Sequence, residues 1–183
     1  MNCNKVICNN EECKETNIIY EPFNSISLST KQEDEDIYKS LDRYFVQNDN
    51  VNTWKCEKCK KEGCRKSSNI WTLPNYVIIQ LKRIGNRVNE IENSIKYPID
   101  DLDLTKYIAK EKEDPNNYIY TLYAVNYHKG SIKGGHYWSK CKNLDDKWYE
   151  YNDDTVTIVD DRFESEIVNE NANILFYYRK FIN

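Results

Sequence analysis

Several features that would place this chain in a familiar class are scarce or missing. It has 5 Gly and 4 Pro among 183 residues, too few for a collagen-like or linker-like protein. No apolar run approaches the roughly 18 residues that a membrane-spanning helix needs. The stretch from Met1 to Lys14 is polar and contains three cysteines, so it does not resemble a signal peptide. We therefore expect neither a membrane nor a secretory pathway to be involved.

A basic face and the common enzyme motifs are also lacking. The formal net charge is −4, which argues against nucleic acid as the main partner because such binding depends on Lys and Arg neutralising phosphates. No G-x-S-x-G, P-loop or H-E-x-x-H motif occurs, so the corresponding hydrolase, nucleotide and zinc-protease interpretations have no support. Seven cysteines, an odd number without a secretion signal, favour reduced thiols or metal ligands and a cytoplasmic or nuclear location.

Aromatic residues are abundant, and they favour a sheet-rich fold. The chain has 15 Tyr, 4 Trp and 5 Phe, residue types that are enriched in strands. One amphipathic helix is predicted at 34–46, because the apolar residues Ile37, Leu41, Tyr44 and Phe45 recur at near-helical spacing. Asp34 and its two acidic neighbours are predicted in the first turn of that helix, where carboxylates complement the helix dipole.

The remaining pattern predicts an α+β fold with a mostly antiparallel sheet that follows a metal-binding knuckle segment. Residues 1–14 are predicted as a knuckle or loop, 18–28 as a strand that runs into an extended segment, and 54–65 as a basic, cysteine-rich turn region. A single helical turn is predicted at 103–108, a short helix at 160–168 and a charged loop at 110–117. The later strands are predicted at Ile70–Thr72, Tyr76–Leu81, Ile91–Tyr97, Tyr118–Tyr127, Gly135–Cys141, Lys147–Tyr151, Thr155–Val159 and Ile174–Arg179.

The cysteines suggest a metal site. Cys56 and Cys59 have the C-x2-C spacing with which two thiolates chelate one tetrahedral zinc, and Cys8 and Cys13 form the nearest upstream pair, at the wider C-x4-C spacing. Zinc also explains the run of basic residues around the second pair, which would offset the thiolate charge. Pairings that use Cys3 and Cys64, spare reduced thiols and disulfides remain alternatives. Cys141 lies on a predicted strand and is expected to be a buried thiol.

His136 is the candidate catalytic residue. It follows Gly134 and Gly135, and Asn152 and Asp153 come at the end of a second predicted strand, so the two strand ends can bring these side chains together. Either residue could accept a hydrogen bond from the imidazole Nδ1–H, as in the base-and-orienter half of a nucleophilic site. The alternatives are a histidine in a plain turn and an Asn-Asp turn signal. The other histidine, His128, continues an apolar strand and is predicted to be structural.

In their order along the chain, these segments resemble the ubiquitin-specific protease family, cysteine peptidases that cleave after the C-terminal glycine of ubiquitin. The resemblance implies a papain-like cysteine peptidase fold, with zinc-ribbon-like fingers over 1–69, including the helix, and a palm over 70–183. The matching segments are Cys8 and Cys13, Glu21-Pro22-Phe23, Ser27-Leu28-Ser29, Cys56-x2-Cys59, Leu73-Pro74, Leu81-Lys82-Arg83, Tyr97-Pro98, Leu102-x-Leu104, Leu122-Tyr123-Ala124-Val125-Asn126-Tyr127-His128, Gly134-Gly135-His136-Tyr137 and Trp148-Tyr149-x-Tyr151-Asn152-Asp153.

The resemblance also implies roles for individual residues. His136 would be the catalytic base and Asn152 its orienting amide, with Asp153 sharing that role. Residues 129–134 match a mobile loop that closes over the tail of ubiquitin, which is the implied partner, free or attached to other proteins. The implied substrate-binding residues are Gly134, Gly135 and Tyr137, and the implied zinc ligands are Cys8, Cys13, Cys56 and Cys59.

One departure from the family pattern is large. The family's nucleophile lies in a box of the form Gly-Leu-x-Asn-x-Gly-Asn-(Thr/Ser)-Cys, and neither this box nor the later Gln-Asp-(Ala/Ser)-x-Glu-(Phe/Leu) segment occurs here. We therefore expect fingers and palm without the thumb, a deubiquitinating peptidase portion that is inactive alone. The alternatives are a non-catalytic ubiquitin-binding module and a zinc-dependent interaction protein with no ubiquitin link. The face that a thumb would cover is expected to expose apolar residues.

Overall fold

Twelve strands form two separate sheets in the computed structural model, which describes residues 1–31, 33–46, 49–82, 94–109, 118–131 and 134–180. One helix, α1 (Ile37–Leu41), continues into a π-helical turn over Asp42–Val46, and 3-10 turns occupy Thr105–Tyr107 and Glu164–Glu166. The strands are β1 (Asn2–Cys8), β2 (Thr16–Glu21), β3 (Ile26–Ser29), β4 (Asp49–Lys55), β5 (Glu62–Ile70), β6 (Tyr76–Lys82), β7 (Leu102–Asp103), β8 (Ile119–Ser131), β9 (Gly134–Lys142), β10 (Trp148–Asn152), β11 (Thr155–Ile158) and β12 (Ala172–Arg179). In this part of the chain no helix is long and apolar enough to span a membrane.

The smaller sheet has four antiparallel strands in the order β2-β1-β5-β4. The prediction of a knuckle or loop over 1–14 is wrong for its first half, because Asn2–Cys8 is a central strand with a neighbour on each side. Its polar side chains are satisfied across the sheet: Asn4 donates to the Glu21 carboxylate and accepts from the Ser68 hydroxyl. Hydrogen bonds to the neighbouring strands therefore offset the cost of burying polar residues that are more typical of a loop.

The larger sheet has the order β11-β10-β9-β8-β12-β6-β3, with β7 paired to β8. All its pairings are antiparallel except that of β3 with β6. It contains the predicted strands at 76–81, 118–127, 135–141, 147–151, 155–159 and 174–179, each within a few residues of its predicted bounds. The mostly antiparallel α+β prediction is thereby confirmed.

Three other element predictions need correction. The strand predicted at Ile70–Thr72 is wrong, since β5 ends at Ile70 and the next two backbone N–H groups donate to the carbonyl of Met1. Of the strand predicted at Ile91–Tyr97, residues 91–93 lie outside the described residues, and the rest forms a single bridge from Lys96 to Asp36. The helix at 160–168 is only the 3-10 turn Glu164–Glu166. The loop predicted at 110–117 lies outside the described residues, whereas the helical turn at 103–108 is confirmed as Thr105–Tyr107.

The helix begins later than its sequence suggests. Asp36 is the N-cap, its side chain accepting from the Lys39 N–H at 3.1 Å, and no acidic residue lies in the first turn. Asp34 is instead buried, where its carboxylate pairs with Arg43. The predicted apolar face is correct for Ile37, Leu41 and Phe45, which lie in the core, but wrong for Tyr44, which is exposed. Within the acidic run at 34–36, Asp36 therefore caps the helix and Asp34 forms a buried ion pair.

The hydrophobic core lies on one face of the larger sheet, and tyrosines contribute much of it. Tyr97, Tyr127 and Tyr177 are buried, and their hydroxyls donate to backbone carbonyls, the first two to Ile167 and the third to Pro98. Such partners let large aromatic groups be buried without stranding a hydroxyl. The helix packs on this same face.

The two sheets divide the chain differently from the predicted boundary at 69/70. Strand β3 and α1, both before that boundary, belong with the larger sheet and its core. The reason is that β3 pairs in parallel with β6, more than fifty residues later in the sequence. The division of the chain into fingers and palm stays a prediction.

Candidate active site and metal centre

The candidate catalytic residues lie on one face of neighbouring strands. Side chains alternate along a strand, so His136, Trp138 and Lys140 of β9 share a face. On β10, Glu150 pairs with Lys140 and Tyr151 with Ser139. Asn152 therefore comes beside Trp138 on that face and diagonal to His136. This is the juxtaposition that the sequence predicted from two strand ends.

The imidazole and the amide are in contact. His136 Nε2 lies 2.7 Å from Asn152 Oδ1, and because an amide oxygen can only accept, the imidazole carries its proton on Nε2. The expectation that Nδ1–H would face the orienting residue is wrong. Nδ1 is left as the basic nitrogen of the neutral ring, and among the described residues no hydrogen bond occupies it. The His136 side chain is exposed, so this nitrogen is available to a reacting group.

Asp153 does not share the orienting contact. It follows Asn152 in the turn between β10 and β11, has a φ of 51° and is exposed. Within the described ranges no hydrogen bond links its carboxylate to His136. The left-handed backbone, which Asp tolerates better than most residues, shows that Asp153 serves the turn. Any role in orienting the base stays a prediction.

The glycine pair divides into two different positions. A Cβ on Gly134 would meet nothing within 4 Å, whereas one on Gly135 would lie 2.2 Å from His128 Nε2. Tyr137 lies on the face opposite His136, and its ring packs on His128 with centroids 4.3 Å apart. Gly135 is thus required by a neighbouring side chain, and the substrate contacts assigned to these three residues stay predictions.

The predicted loop at 129–134 is largely strand. Lys129 pairs with His136 and Ser131 with Gly134 in the β8–β9 ladder. Residues 132 and 133 lie outside the described residues. Among the described residues of this range, paired strand therefore replaces the expected loop.

No cysteine of the chain lies beside His136. All seven are free thiols, six of them in or next to the smaller sheet. The seventh, Cys141, is on β9 but faces away from His136, and burial raises the pKa of its thiol. The contact between His136 and Asn152 thus has no thiol of this chain beside it.

Two turns bring four cysteines together. Cys8 ends β1 and Cys13 follows in the next turn, while Cys56 and Cys59 lie in the turn between β4 and β5. The residues after Cys13 and Cys59, Lys14 and Lys60, both have left-handed backbone, with φ of 46° and 61°. Each turn therefore curls back so that its sulfur atoms face the other pair.

The sulfur geometry fits a tetrahedral metal ion. All four Sγ atoms lie within 4.8 Å of one another, with Cys8 to Cys59 at 3.6 Å and Cys13 to Cys56 at 3.9 Å. Zinc–thiolate bonds of about 2.3 Å at tetrahedral angles place neighbouring sulfurs about 3.8 Å apart. The predicted ligand set can therefore hold one metal ion, despite the C-x4-C spacing of its first pair.

The electrostatics of the cluster favour a bound cation. The backbone N–H of Lys61 lowers the pKa of Cys59 to about 6. At Cys8 the N–H of Asn10 acts in the same direction, but desolvation and the neighbouring sulfurs raise its pKa to about 12. Neighbouring thiolates repel one another, so the cluster does not readily carry more than one negative charge by itself. A divalent cation offsets that repulsion and lets more of the thiols lose their protons. Of the lysines expected to offset the charge, Lys58 pairs with the Glu15 carboxylate at 2.8 Å.

Two stacked ring contacts, of Trp138 with His136 and with Tyr127, were not predicted from the sequence. The His136 and Trp138 rings are nearly parallel, with centroids 5.9 Å apart and planes at 19°. Trp138 also stacks on Tyr127 at 5.4 Å and 12°. The available signal was the alternation of residues 136 and 138 on a strand next to Tyr127.

The sequence matches the family model described as ubiquitin carboxyl-terminal hydrolase over residues 6–177. It is 37% identical over 185 residues to a probable ubiquitin carboxyl-terminal hydrolase of Acanthamoeba polyphaga mimivirus, covering 95% of this chain and 39% of the viral protein. It is 36% identical over 159 residues to ubiquitin carboxyl-terminal hydrolase 9 of Arabidopsis thaliana, covering 82% of this chain and 17% of the plant protein. The chain spans less than half of the length of these relatives.

Solved structures agree with these sequence relatives. A chain of the SAGA DUB module bound to ubiquitin aldehyde superposes with a TM-score of 0.83 at 25% identity, covering 100% of this chain and 41% of that one. The same module bound to monoubiquitin gives a TM-score of 0.81 at 24% identity, covering 100% of this chain and 40% of its counterpart. Both sheets therefore occur together in a known fold.

Proposed function

This chain belongs to the ubiquitin carboxyl-terminal hydrolase family, and from that premise we propose that it supplies the base and orienting amide of a deubiquitinating thiol peptidase. The observation that carries the proposal is the contact of 2.7 Å between His136 Nε2 and Asn152 Oδ1. The proposed fold is the papain-like one with fingers and palm. The thumb and the nucleophilic cysteine come from outside these 183 residues.

The proposed reaction follows from the tautomer. A cysteine thiol gives its proton to His136 Nδ1 while its sulfur bonds to the carbonyl carbon of ubiquitin's terminal glycine. The imidazolium then protonates the leaving amine, and a thioester remains. Water attacks the thioester, His136 takes the proton of that water, and the thiol leaves with the proton. Throughout, Asn152 keeps Nε2–H occupied so that Nδ1 is the nitrogen that exchanges protons.

The proposed partners and metal follow from the same family. Ubiquitin, free or attached to other proteins, is the substrate, and the two structural neighbours carry ubiquitin or its aldehyde. Gly134, Gly135 and Tyr137 are neighbours of the base in the sequence and are proposed to contact ubiquitin's tail. Zinc is the metal proposed for the four-cysteine cluster, with a structural role, and the location is cytoplasmic or nuclear.

A second candidate function is a ubiquitin-binding module without catalysis. It is favoured by the absence of any cysteine of this chain beside His136. Both functions predict binding of ubiquitin, but only the first predicts that the imidazole contributes to turnover.

Two measurements test these functions. Calorimetric titration with ubiquitin is expected to give binding at micromolar concentrations, weakened when ubiquitin lacks its last two glycines. The chain alone is expected not to cleave a fluorogenic ubiquitin substrate. Turnover by the chain alone that disappears on substitution of one of its own cysteines would contradict the proposal, as would no heat at high micromolar ubiquitin.

A hybrid tests the catalytic role directly. The part of the mimivirus relative that this chain does not cover is joined to this chain, and hydrolysis is measured. His136→Ala is expected to lower kcat about 10²–10⁴-fold, the usual contribution of a general base, whereas Trp54→Ala in the smaller sheet is the matched control. A hybrid that is active and indifferent to His136→Ala would leave only the binding function.

A further inference from the structure

Trp138 contacts both the proposed base and the buried core. Its indole is nearly parallel both to the His136 imidazole, two residues away on β9, and to the Tyr127 ring, across the ladder on β8. These centroid distances, 5.9 and 5.4 Å, lie within the range of favourable offset stacking. Strand geometry produces these contacts, because Trp138 pairs directly with Tyr127 across β8 and β9 and lies two residues from His136 on the same strand.

Tyr127, on which Trp138 stacks, is held firmly by its surroundings. Tyr127 is fully buried and its hydroxyl donates to the Ile167 carbonyl at 2.6 Å. Lys140 lies 5.7 Å from the Tyr127 ring centroid, is itself 5% exposed, and donates to the Glu166 carbonyl at 2.6 Å. Its ammonium also lies 3.4 Å from the Glu150 carboxylate. A neutralised, hydrogen-bonded charge of this kind resists displacement, so Trp138 rests on a fixed support.

The His136 imidazole needs such support. His136 is exposed, and a single hydrogen bond to Asn152 fixes one atom of the imidazole but not the plane of the ring. Water competes for an exposed Nε2–H, and each release lets the ring rotate or change tautomer. A flat contact across the ring removes that freedom at little entropic cost, because Trp138 is already ordered by Tyr127.

We propose that Trp138 is a positioning residue for His136: its indole face fixes the imidazole plane, so that Nε2–H stays on Asn152 and Nδ1 stays free. The catalytic meaning of this role rests on the proposed function. The geometric role does not, and it can be measured without ubiquitin or a nucleophile.

The alternative explanation is that Trp138 only fills space at the edge of the core, since it is half-buried and packs against core residues. Two variants separate these roles. Trp138→Phe keeps a flat ring, whereas Trp138→Leu keeps an apolar side chain but removes the ring. Filling predicts that both variants behave alike, and positioning predicts that only Phe preserves the state of His136.

The experiment measures the tautomer of each imidazole by ¹⁵N NMR in the full chain, at a pH high enough for both rings to be neutral. Wild type is expected to show His136 mainly as the Nε2–H form. Trp138→Leu and Trp138→Ala are expected to shift the tautomer ratio roughly twofold to tenfold towards Nδ1–H, the range expected from the energy of an aromatic pair. Trp138→Phe should stay within about twofold of wild type on the same scale.

The chain provides its own controls. It has two histidines, and the signals of His128, which lies on the other face of the sheet, report whether each variant is folded. Trp54→Ala, in the smaller sheet, should leave both imidazoles unchanged. An unshifted His136 in a folded Trp138→Leu chain would overturn the proposal, as would equal shifts in the Leu and Phe variants. Failure of ubiquitin binding bears only on the proposed function.

Discussion

At the scale of single residues, His128 lies where a side chain at Gly135 would have to be. A Cβ at Gly135 would lie 2.2 Å from His128 Nε2 and 3.0 Å from the Lys129 carbonyl oxygen. The imidazole thus occupies the space that any other residue would need. Gly134 has no such neighbour, so two adjacent glycines that look equivalent in the sequence have different constraints.

Alanine substitutions should separate the two glycines. Gly135→Ala is expected to lower the free energy of unfolding by about 1–3 kcal/mol, the usual cost of overpacking, and Gly134→Ala to change it by less than about 0.5 kcal/mol. Urea unfolding of both variants measures the difference. Adding His128→Ala to Gly135→Ala should recover part of the loss, and equal stabilities of the two single variants would contradict the assignment.

The Asp34 carboxylate is the best-satisfied buried charge near the helix. It accepts from the Lys31 N–H at 2.8 Å and the Ser40 hydroxyl at 2.9 Å, and it pairs with Arg43. Burial by itself would raise the pKa of Asp34, but Arg43 and the other two donors hold that pKa below its usual value. A pKa that is lower in the folded than in the unfolded chain gives stability that is present above the unfolded value and is lost as the pH falls through the folded one.

Asp34→Asn should therefore weaken the fold at neutral pH and make it less sensitive to acid. We expect a loss of about 2–4 kcal/mol at pH 7, because Arg43 and its neighbours lose a buried partner, and a smaller difference from wild type below about pH 4. Urea unfolding at several pH values measures both effects. Asp160→Asn, whose carboxylate pairs with Arg162 at the surface, should leave the unfolding midpoint unchanged; a constant Asp34→Asn effect across this pH range would refute the linkage.

At the scale of elements, the sequence predicted what depends on local pattern. Strands β8 to β11 follow one another as hairpins with aromatic and β-branched residues, so their bounds could be predicted to within a few residues. Strand β1 could not, because Asn2, Asn4 and Lys5 look like loop residues and their partners on β5 lie about sixty residues later. The parallel β3–β6 pair was missed for the same reason.

The site shows the same limit. His136 and Asn152 were predicted to meet because each ends a strand with a recognisable pattern, and the cysteine pairs because their spacing suits a metal. The imidazole nitrogen that faces Asn152 was predicted wrongly, since it depends on ring orientation. Trp138 and Lys140 were not singled out, because their roles require the cross-strand register with Tyr127 and Glu150, which the sequence does not state.

The two cysteine turns should behave as one element with the metal. One zinc per chain is expected, and Cys13→Ser should abolish tight binding, whereas Cys64→Ser, at a buried cysteine outside the cluster, should retain it. Affinity should fall as the pH falls, because the thiols must lose protons to bind. Competition with a chromophoric chelator measures all three expectations, and equal zinc binding by the two variants would disprove the ligand set.

At the scale of the whole molecule, the larger sheet has one packed face and one that is partly bare. The core side holds the helix and the buried tyrosines, while the other side exposes Tyr76 by 65% and Tyr137 by 57%. Because this apolar surface lies on the face opposite His136, it does not test the expectation that the face covered by a thumb is apolar, and that expectation stays a prediction. The exposed patch continues to β11, where Val156 and Ile158 pair with Tyr151 and Tyr149 of β10.

Strand β11 makes that surface prone to self-association. It is the last strand of the sheet in the part of the chain that the structure describes, and all four of its residues are exposed. An exposed apolar edge strand offers both hydrogen-bonding groups and hydrophobic surface to a second chain. We therefore expect the isolated chain to associate reversibly through this edge as its concentration rises.

Val156→Lys should weaken this association about tenfold, since burying a Val side chain contributes about 1.5 kcal/mol or more and a lysine at an edge opposes pairing. Sedimentation velocity over a range of concentrations measures the change. Leu144→Lys, at a fully exposed turn position outside any strand, adds the same charge without touching the edge and should associate like wild type. If both lysine variants weaken association equally, net charge and not the edge of β11 governs the behaviour of the isolated chain.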